Sequence, residues 1–344
     1  MRLDTTLPLS HLAFKHWAPD GAEVGVVVAK AAFRWTGTRF SSIKEPPELN
    51  MADLFEEDPA TSPLVLEQDL APSKPVTDIF IRATARSPLG RRLTDWPVNV
   101  SIPEVLHYGF HVRGPSVWVK NWRGKWKRED PREVLEVPLT YALAYGGVLP
   151  PQGRTPARTW EENPAGIGFV DETFLETAET FDAPQIGELA DFAMTDPLAE
   201  MSLRGTGPIA KAWLPRRSLA GTFDDDWKKT RHPRMPLDYD LRFWNAAARG
   251  LQTSAPLRGN ETIEVDGLGP DPVRVALPGH DIRLQAGGET PLDRSMTLDT
   301  VDLDLRDPDP TKHTVALVWR TVVENPDALG AATIGSAALL PEEA

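Results

Sequence analysis

Proline occupies 33 of the 344 positions, close to one residue in ten. Each proline holds φ at about −65° and has no amide hydrogen, which excludes it from helix interiors and from the central strands of a sheet. A chain punctuated this often folds into short elements joined by many turns.

The apolar periodicity says which elements these are. In Val76-Thr77-Asp78-Ile79-Phe80-Ile81-Arg82-Ala83-Thr84, residues Ile79, Ile81 and Ala83 fall on one face. Asp78, Arg82 and Thr84 share the other face with Phe80, the pattern of a half-buried strand. Val301, Leu303 and Leu305 alternate with Asp302, Asp304 and Arg306. The turn sequence Asp307-Pro308-Asp309-Pro310 then leads into a run at 315–322, so two antiparallel neighbours are expected. Further strand-like runs lie at 24–35, 98–102, 105–112, 116–120, 262–265 and 273–277, and long amphipathic helices do not alternate with them. The expected fold is mainly β, with antiparallel, sandwich-like sheets, Pro/Gly-rich loops and few short helices.

One helix is predicted after Thr222, which would cap it. Asp224, Asp225 and Asp226 occupy its first turn, and Lys228, Lys229 and Arg231 lie toward its end, matching the helix dipole. Asp238, Asp240 and Arg242 read as one polar face of a strand. Loops are expected near 42–63, 149–164 and 184–208. None has the composition of an interdomain linker, so residues 1–340 read as a single composite domain followed by a short tail at 341–344.

Composition narrows the function. The chain has no cysteine, which excludes disulfide scaffolds, thiolate metal clusters and cysteine nucleophiles. Its 50 acidic and 37 basic side chains give a net charge of −13, which argues against a nucleic-acid partner. The first residues lack a signal-like apolar run, and the 24–35 run is broken by Lys30 and Arg34, short of the roughly 20 apolar residues that span a bilayer. A cytoplasmic protein with no membrane partner is expected.

No spacing for a nucleophile elbow, zinc protease, P-loop or dinucleotide fold is present. His107 and His111 lie in a strand-like context without a third ligand, and the acids at 224–226 and 238–240 lack the glycine-turned calcium loop. No metal or cofactor is expected. Glu161 and Glu162 are paired carboxylates of the kind a glycosidase needs, but they sit beside a tight Asn163-Pro164 turn. Between Arg113 and Arg128 the chain carries six basic residues and no acid, interleaved with tryptophans. Trp118, Lys120, Trp122, Arg123, Lys125 and Trp126 are the candidate partner-binding residues, since Trp and Arg dominate protein-binding hot spots. The plainer account is a hairpin turning at Arg123-Gly124 whose tryptophans pack inward.

Lys74-Pro75 with Asp78, Ala144-Tyr145-Gly146-Gly147, Asn163-Pro164 with Gly166, and a block with Trp213, Arg217, Gly221-Thr222, Asp226-Trp227, Asp238, Asp240, Arg242 and Phe243-Trp244-Asn245 occur in this order. Asp299-Thr300 and Trp319-Arg320 follow. With these motifs the chain resembles the bacterial type VI secretion effector-adaptor family, chaperone-like proteins built on a conserved domain of originally unknown function. The resemblance implies a non-catalytic cytoplasmic protein that binds a toxic effector and assists its loading onto the secretion spike protein. The motif residues Lys74, Asp78, Gly146, Gly147, Asn163, Gly166, Trp213, Arg217, Gly221, Asp226, Trp227, Asp238, Asp240 and Arg242 read as structural. The alternatives are a β-rich hydrolase using Glu161, Glu162, Asp238 or Asp240, and a carbohydrate-binding module using exposed tryptophans.

Overall fold

The apolar run predicted at 24–35 is the pivot of the fold. It forms the strand Glu23–Trp35, in which every residue from 24 to 33 is buried, as a strand covered on both faces requires. Ser10–Trp17 pairs antiparallel along one side of it, and Thr314–Val323 along the other. Thr297–Leu305 pairs antiparallel with Thr314–Val323, as the alternation predicts, with Val301 opposite Leu317 and Leu303 opposite Val315. The next strand, Asp78–Arg86, runs parallel to Thr297–Leu305, with Ile79 beside Val301 and Ile81 beside Leu303. That pairing departs from the antiparallel expectation. Parallel neighbours need a crossover connection, and here everything between the two strands supplies it. The short strand Glu136–Pro138 closes that side, and Phe40–Ser42 pairs onto the end of Glu23–Trp35, completing seven strands.

A second, wholly antiparallel sheet has the order Ile186–Gly187, Leu106–Arg113, Asp95–Ile102, Thr262–Asp266, Val273–Ala276. Its inward residues Val98, Val100, Phe110, Val112 and Val265 join Ile79, Ile81, Val301 and Leu317 of the larger sheet in one apolar cluster. That cluster extends from Leu3 to Ile334. Each such side chain contributes about 1.5–3 kcal/mol through burial. The protein, a computed structural model, is described for residues 3–18, 20–36, 39–287 and 291–336, and 39% of it is strand. The tail expected at 341–344 lies outside the described residues.

The described residues contain two α-helices, Glu172–Thr177 and Asp225–Thr230, each of six residues. No helix among them is long and apolar enough to cross a membrane. The predicted helix forms, but its cap is Asp224, whose carboxylate accepts from the Trp227 amide at 2.8 Å. Thr222 instead donates its hydroxyl to Asp238 Oδ2 at 2.7 Å. The strand expected through Asp238, Asp240 and Arg242 is also corrected. Asp240 caps a 3-10 turn at Leu241–Trp244, accepting from the Arg242 amide at 2.9 Å. Pro233 and Pro236 remove ladder donors just upstream, and side-chain capping offers the backbone a local alternative to pairing.

A candidate protein-binding surface

The aromatic and basic strip folds as the predicted hairpin. Val117–Lys120 pairs antiparallel with Trp126–Arg128, and Thr180–Asp182 adds a third strand on the other side. Asn121 makes the turn, its Oδ1 accepting from the amides of Arg123 at 2.9 Å and Lys125 at 3.0 Å. Gly124 sits at φ +74°, a conformation that favours glycine.

Cross-strand register decides which residues remain free. Trp118 lies opposite Arg128, and Lys120 opposite Trp126. These four share a face, and each pair makes a cation–π contact, at 5.6 and 5.4 Å. The Trp118 ring stacks on Phe181 at 6.1 Å, and the Trp126 ring meets Phe181 edge-on at 5.3 Å. Trp118 is only 5% exposed. Lys120 Nζ donates to the Leu175 carbonyl at 2.8 Å, at the C-terminal end of the Glu172–Thr177 helix, where the dipole favours a cation.

Trp122 falls in the turn, outside this alternation, and is 85% exposed. The Arg123 guanidinium lies 4.4 Å from its ring, and Lys125 and Lys127 are exposed beside it. Of the six candidate residues, Trp118, Lys120 and Trp126 are engaged inside the molecule, while Trp122, Arg123 and Lys125 face outward. The four-residue spacing of the tryptophans, read with the Asn-x-x-Gly turn, carries this division: it places 118 and 126 on one strand face and 122 at the tip.

The motif residues lie elsewhere in the fold, several of them in buried contacts. Lys74 is buried with Nζ 2.9 Å from both Glu67 Oε2 and Asp78 Oδ2 and 3.1 Å from the Thr300 hydroxyl. Arg216 donates to Glu67 Oε1 at 2.7 Å, and the amides of Ala246 and Ala247 donate to Asp78. Beside this group, Arg320 pairs with Asp299 at 2.6 Å and Lys30 with Asp69 at 2.8 Å. Burial pushes the Lys74 ammonium's pKa down, but Asp78 and Glu67 outweigh it and hold the group above its ordinary value. Burial likewise raises the Glu67 carboxyl's pKa, and Lys74 and Arg216 bring it net below the usual range. The network ties the 67–78 segment and the 209–247 segment to the large sheet. Asp69, Lys30 and Arg216 carry no sequence signal for this role, because their partners are remote along the chain; Glu67 lies only seven residues from Lys74, but its partner Arg216 is remote.

Gly146, at φ +150°, lies so close to Asn163 that a Cβ would collide with the Asn163 carbonyl. Asn163 is fully buried and donates to the carbonyls of Tyr141 at 2.9 Å and Tyr145 at 3.1 Å. Gly166 packs against the same side chain, and Gly147 sits at φ +125°. Trp213 is buried edge-on to Tyr141, Gly221 abuts Asp238, and the Trp227 indole donates to the Arg234 carbonyl at 2.8 Å. Asp226 is exposed in the first turn of its helix.

The carboxylates weighed for hydrolysis are engaged separately. Glu161 pairs with Arg217 at 2.8 Å, Asp238 accepts from Thr222, and Asp240 pairs with Arg242. Glu162 is exposed. His107 and His111 both lie on Leu106–Arg113. Among the described residues no group of three or more His, Cys, Asp or Glu side chains is placed to hold a metal.

No curated protein and no solved structure matches the chain. Residues 20–320 match the model of a bacterial family described as "Uncharacterized protein conserved in bacteria (DUF2169)". That span contains the buried ionic network, the glycine and Asn163 turn and the tryptophan hairpin, and the chain belongs to this DUF2169 family.

Proposed function

We propose that the protein is a non-catalytic adaptor that holds a toxic effector in the bacterial cytoplasm and helps load it onto the type VI secretion spike. The observation that supports this reading is the hairpin tip. A tryptophan that is 85% exposed, flanked by Arg123, Lys125 and Lys127, presents a large apolar ring and cations on a turn braced by its own strands. Aromatic and arginine side chains on a rigid support are what protein-binding hot spots use. The cations suit an acidic partner surface.

The test is co-expression with the product of a neighbouring toxin gene and with the spike protein, followed by gel filtration. Co-elution with the toxin is expected. Trp122→Ala should weaken that complex by about 30-fold, the loss of one hot spot, while the protein stays folded. Failure to bind either partner refutes the adaptor reading. Unchanged affinity of a folded Trp122→Ala variant refutes the role of the hairpin.

A further inference from the structure

Sheet edges are where a β-rich protein is exposed to strand addition, and natural proteins blunt them with short strands, prolines, bulges or charged side chains. Three of the four edges of the two main sheets fit that rule. Glu136–Pro138 is three residues long and ends in proline. Ile186–Gly187 is two residues long, and Val273–Ala276 is four residues long and follows Pro270 and Pro272.

The fourth edge carries only one such device, Lys15. Ser10–Trp17 pairs with Glu23–Trp35 over eight consecutive residues without a bulge, and it contains neither proline nor glycine. No strand lies beyond it, and no backbone hydrogen bond joins it to any segment other than Glu23–Trp35 among the described residues. At about 3.4 Å per residue its outer edge is roughly 27 Å long. Its only Asp, Glu, Lys or Arg is Lys15, which pairs with Glu23.

An apolar recess adjoins the end of this edge. It has a volume of about 190 Å³ and is lined by Trp17, Val24, Met235, Tyr239, Leu241 and Trp244. The register places Leu12, Phe14 and His16 opposite Val28, Val26 and Val24, so all six share one face, and His16 and Val24 of that face line the recess together with the end residue Trp17. Leu12 and Phe14 are only half-buried. The Arg234 guanidinium lies 5.9 Å from the ring of Trp17, which lines the recess.

We propose that the outer edge of Ser10–Trp17 and the adjoining recess form a strand-addition site for an extended segment of another protein. The edge supplies main-chain hydrogen bonds, and the recess receives one large apolar side chain. Arg234 selects a segment with a carboxylate near that side chain. Self-pairing of two copies is disfavoured because Ser10–Trp17 contains no acid to meet Arg234 of a second molecule. The site is separate from the hairpin and does not depend on the secretion reading.

The test uses the full chain and a panel of short acetylated peptides that alternate valine and threonine, with a leucine beside a glutamate at varied positions. Binding is read by fluorescence anisotropy, and amide exchange is followed at residues 10–17. At least one peptide is expected to bind and to slow exchange there. N-methylation of the amides along one peptide edge should weaken binding by about tenfold or more, and along the other edge hardly at all, since only one edge meets the sheet. Leu241→Trp, which fills the recess, should lower affinity to a similar extent, and Trp122→Ala should leave it unchanged. The proposal is overturned if no peptide binds, if both N-methylated series bind as well as the parent, or if exchange at 10–17 is not slowed by a bound peptide. Exchange that slows with protein concentration alone would overturn it in favour of a second copy.

Discussion

His280 lies in the connection between Val273–Ala276 and Ile282–Ala286, and only 3% of it is exposed. Its ring stacks on Phe33 at 5.7 Å and 20°, and neither ring nitrogen has a hydrogen-bond partner among the described residues. Burial without a partner disfavours the imidazolium and pulls the His280 pKa from 6.5 down to about 4. Below pH 6.5 the unfolded chain binds a proton at this position, and the folded chain does so only near pH 4. The stability tied to His280 is therefore complete above pH 6.5 and is lost as the pH falls toward 4, by about 3 kcal/mol. His280→Phe keeps the ring stack and removes the titration. Urea unfolding of both proteins from about pH 7 to pH 4 measures the effect, because carboxylates titrate alike in the two chains and cancel in the difference. The wild type should lose about 3 kcal/mol more than the variant over this range. At pH 7 the variant should be at least as stable, since two unpaired polar atoms are gone. Parallel stability curves would refute the reasoning, because they would mean that the imidazole is solvated or bonded in the folded protein.

Lys74→Met leaves Glu67 and Asp78 buried without their ammonium and should cost about 3–5 kcal/mol, read as a shift in the urea midpoint. Combining it with Glu67→Gln should cost less than the sum of the single changes, because the two residues share one interaction. Trp118→Ala should destabilise by about 3–5 kcal/mol, while Trp122→Ala should stay within about 0.5 kcal/mol of wild type by thermal melting. Gly146→Ala forces a Cβ onto the Asn163 carbonyl and should cost more than about 4 kcal/mol, seen as loss of soluble folded protein.

The β class and the longer strands of the two main sheets, apart from Ser10–Trp17, were legible in local pattern. Leu303 and Leu305 point inward because every second residue of a strand shares a face, and a two-residue period is visible within a few positions. The same rule misled at Asp238, Asp240 and Arg242, where two-residue spacing arose from a capped 3-10 turn among prolines. The parallel partner of Asp78–Arg86 was not legible, since it lies more than 200 residues away and its own alternation matches either direction. The candidate surface was half legible. The tryptophan spacing and the Asn121 turn mark a hairpin, but the packing of Trp118 and Trp126 depends on Phe181, which belongs to a strand more than 50 residues downstream. The free edge at Ser10–Trp17 had no sequence signature, because an unpaired strand reads like a paired one.

By itself the sequence determined the element lengths, through its prolines, the strand faces, through its alternation, and membership of the DUF2169 family, through the match over residues 20–320. Tertiary structure alone decided which charges are buried together, which tryptophan meets water and which strand ends a sheet. The physical reason is that period and backbone preference belong to neighbouring residues, whereas burial, ion pairing and edge position depend on what the rest of the chain places alongside.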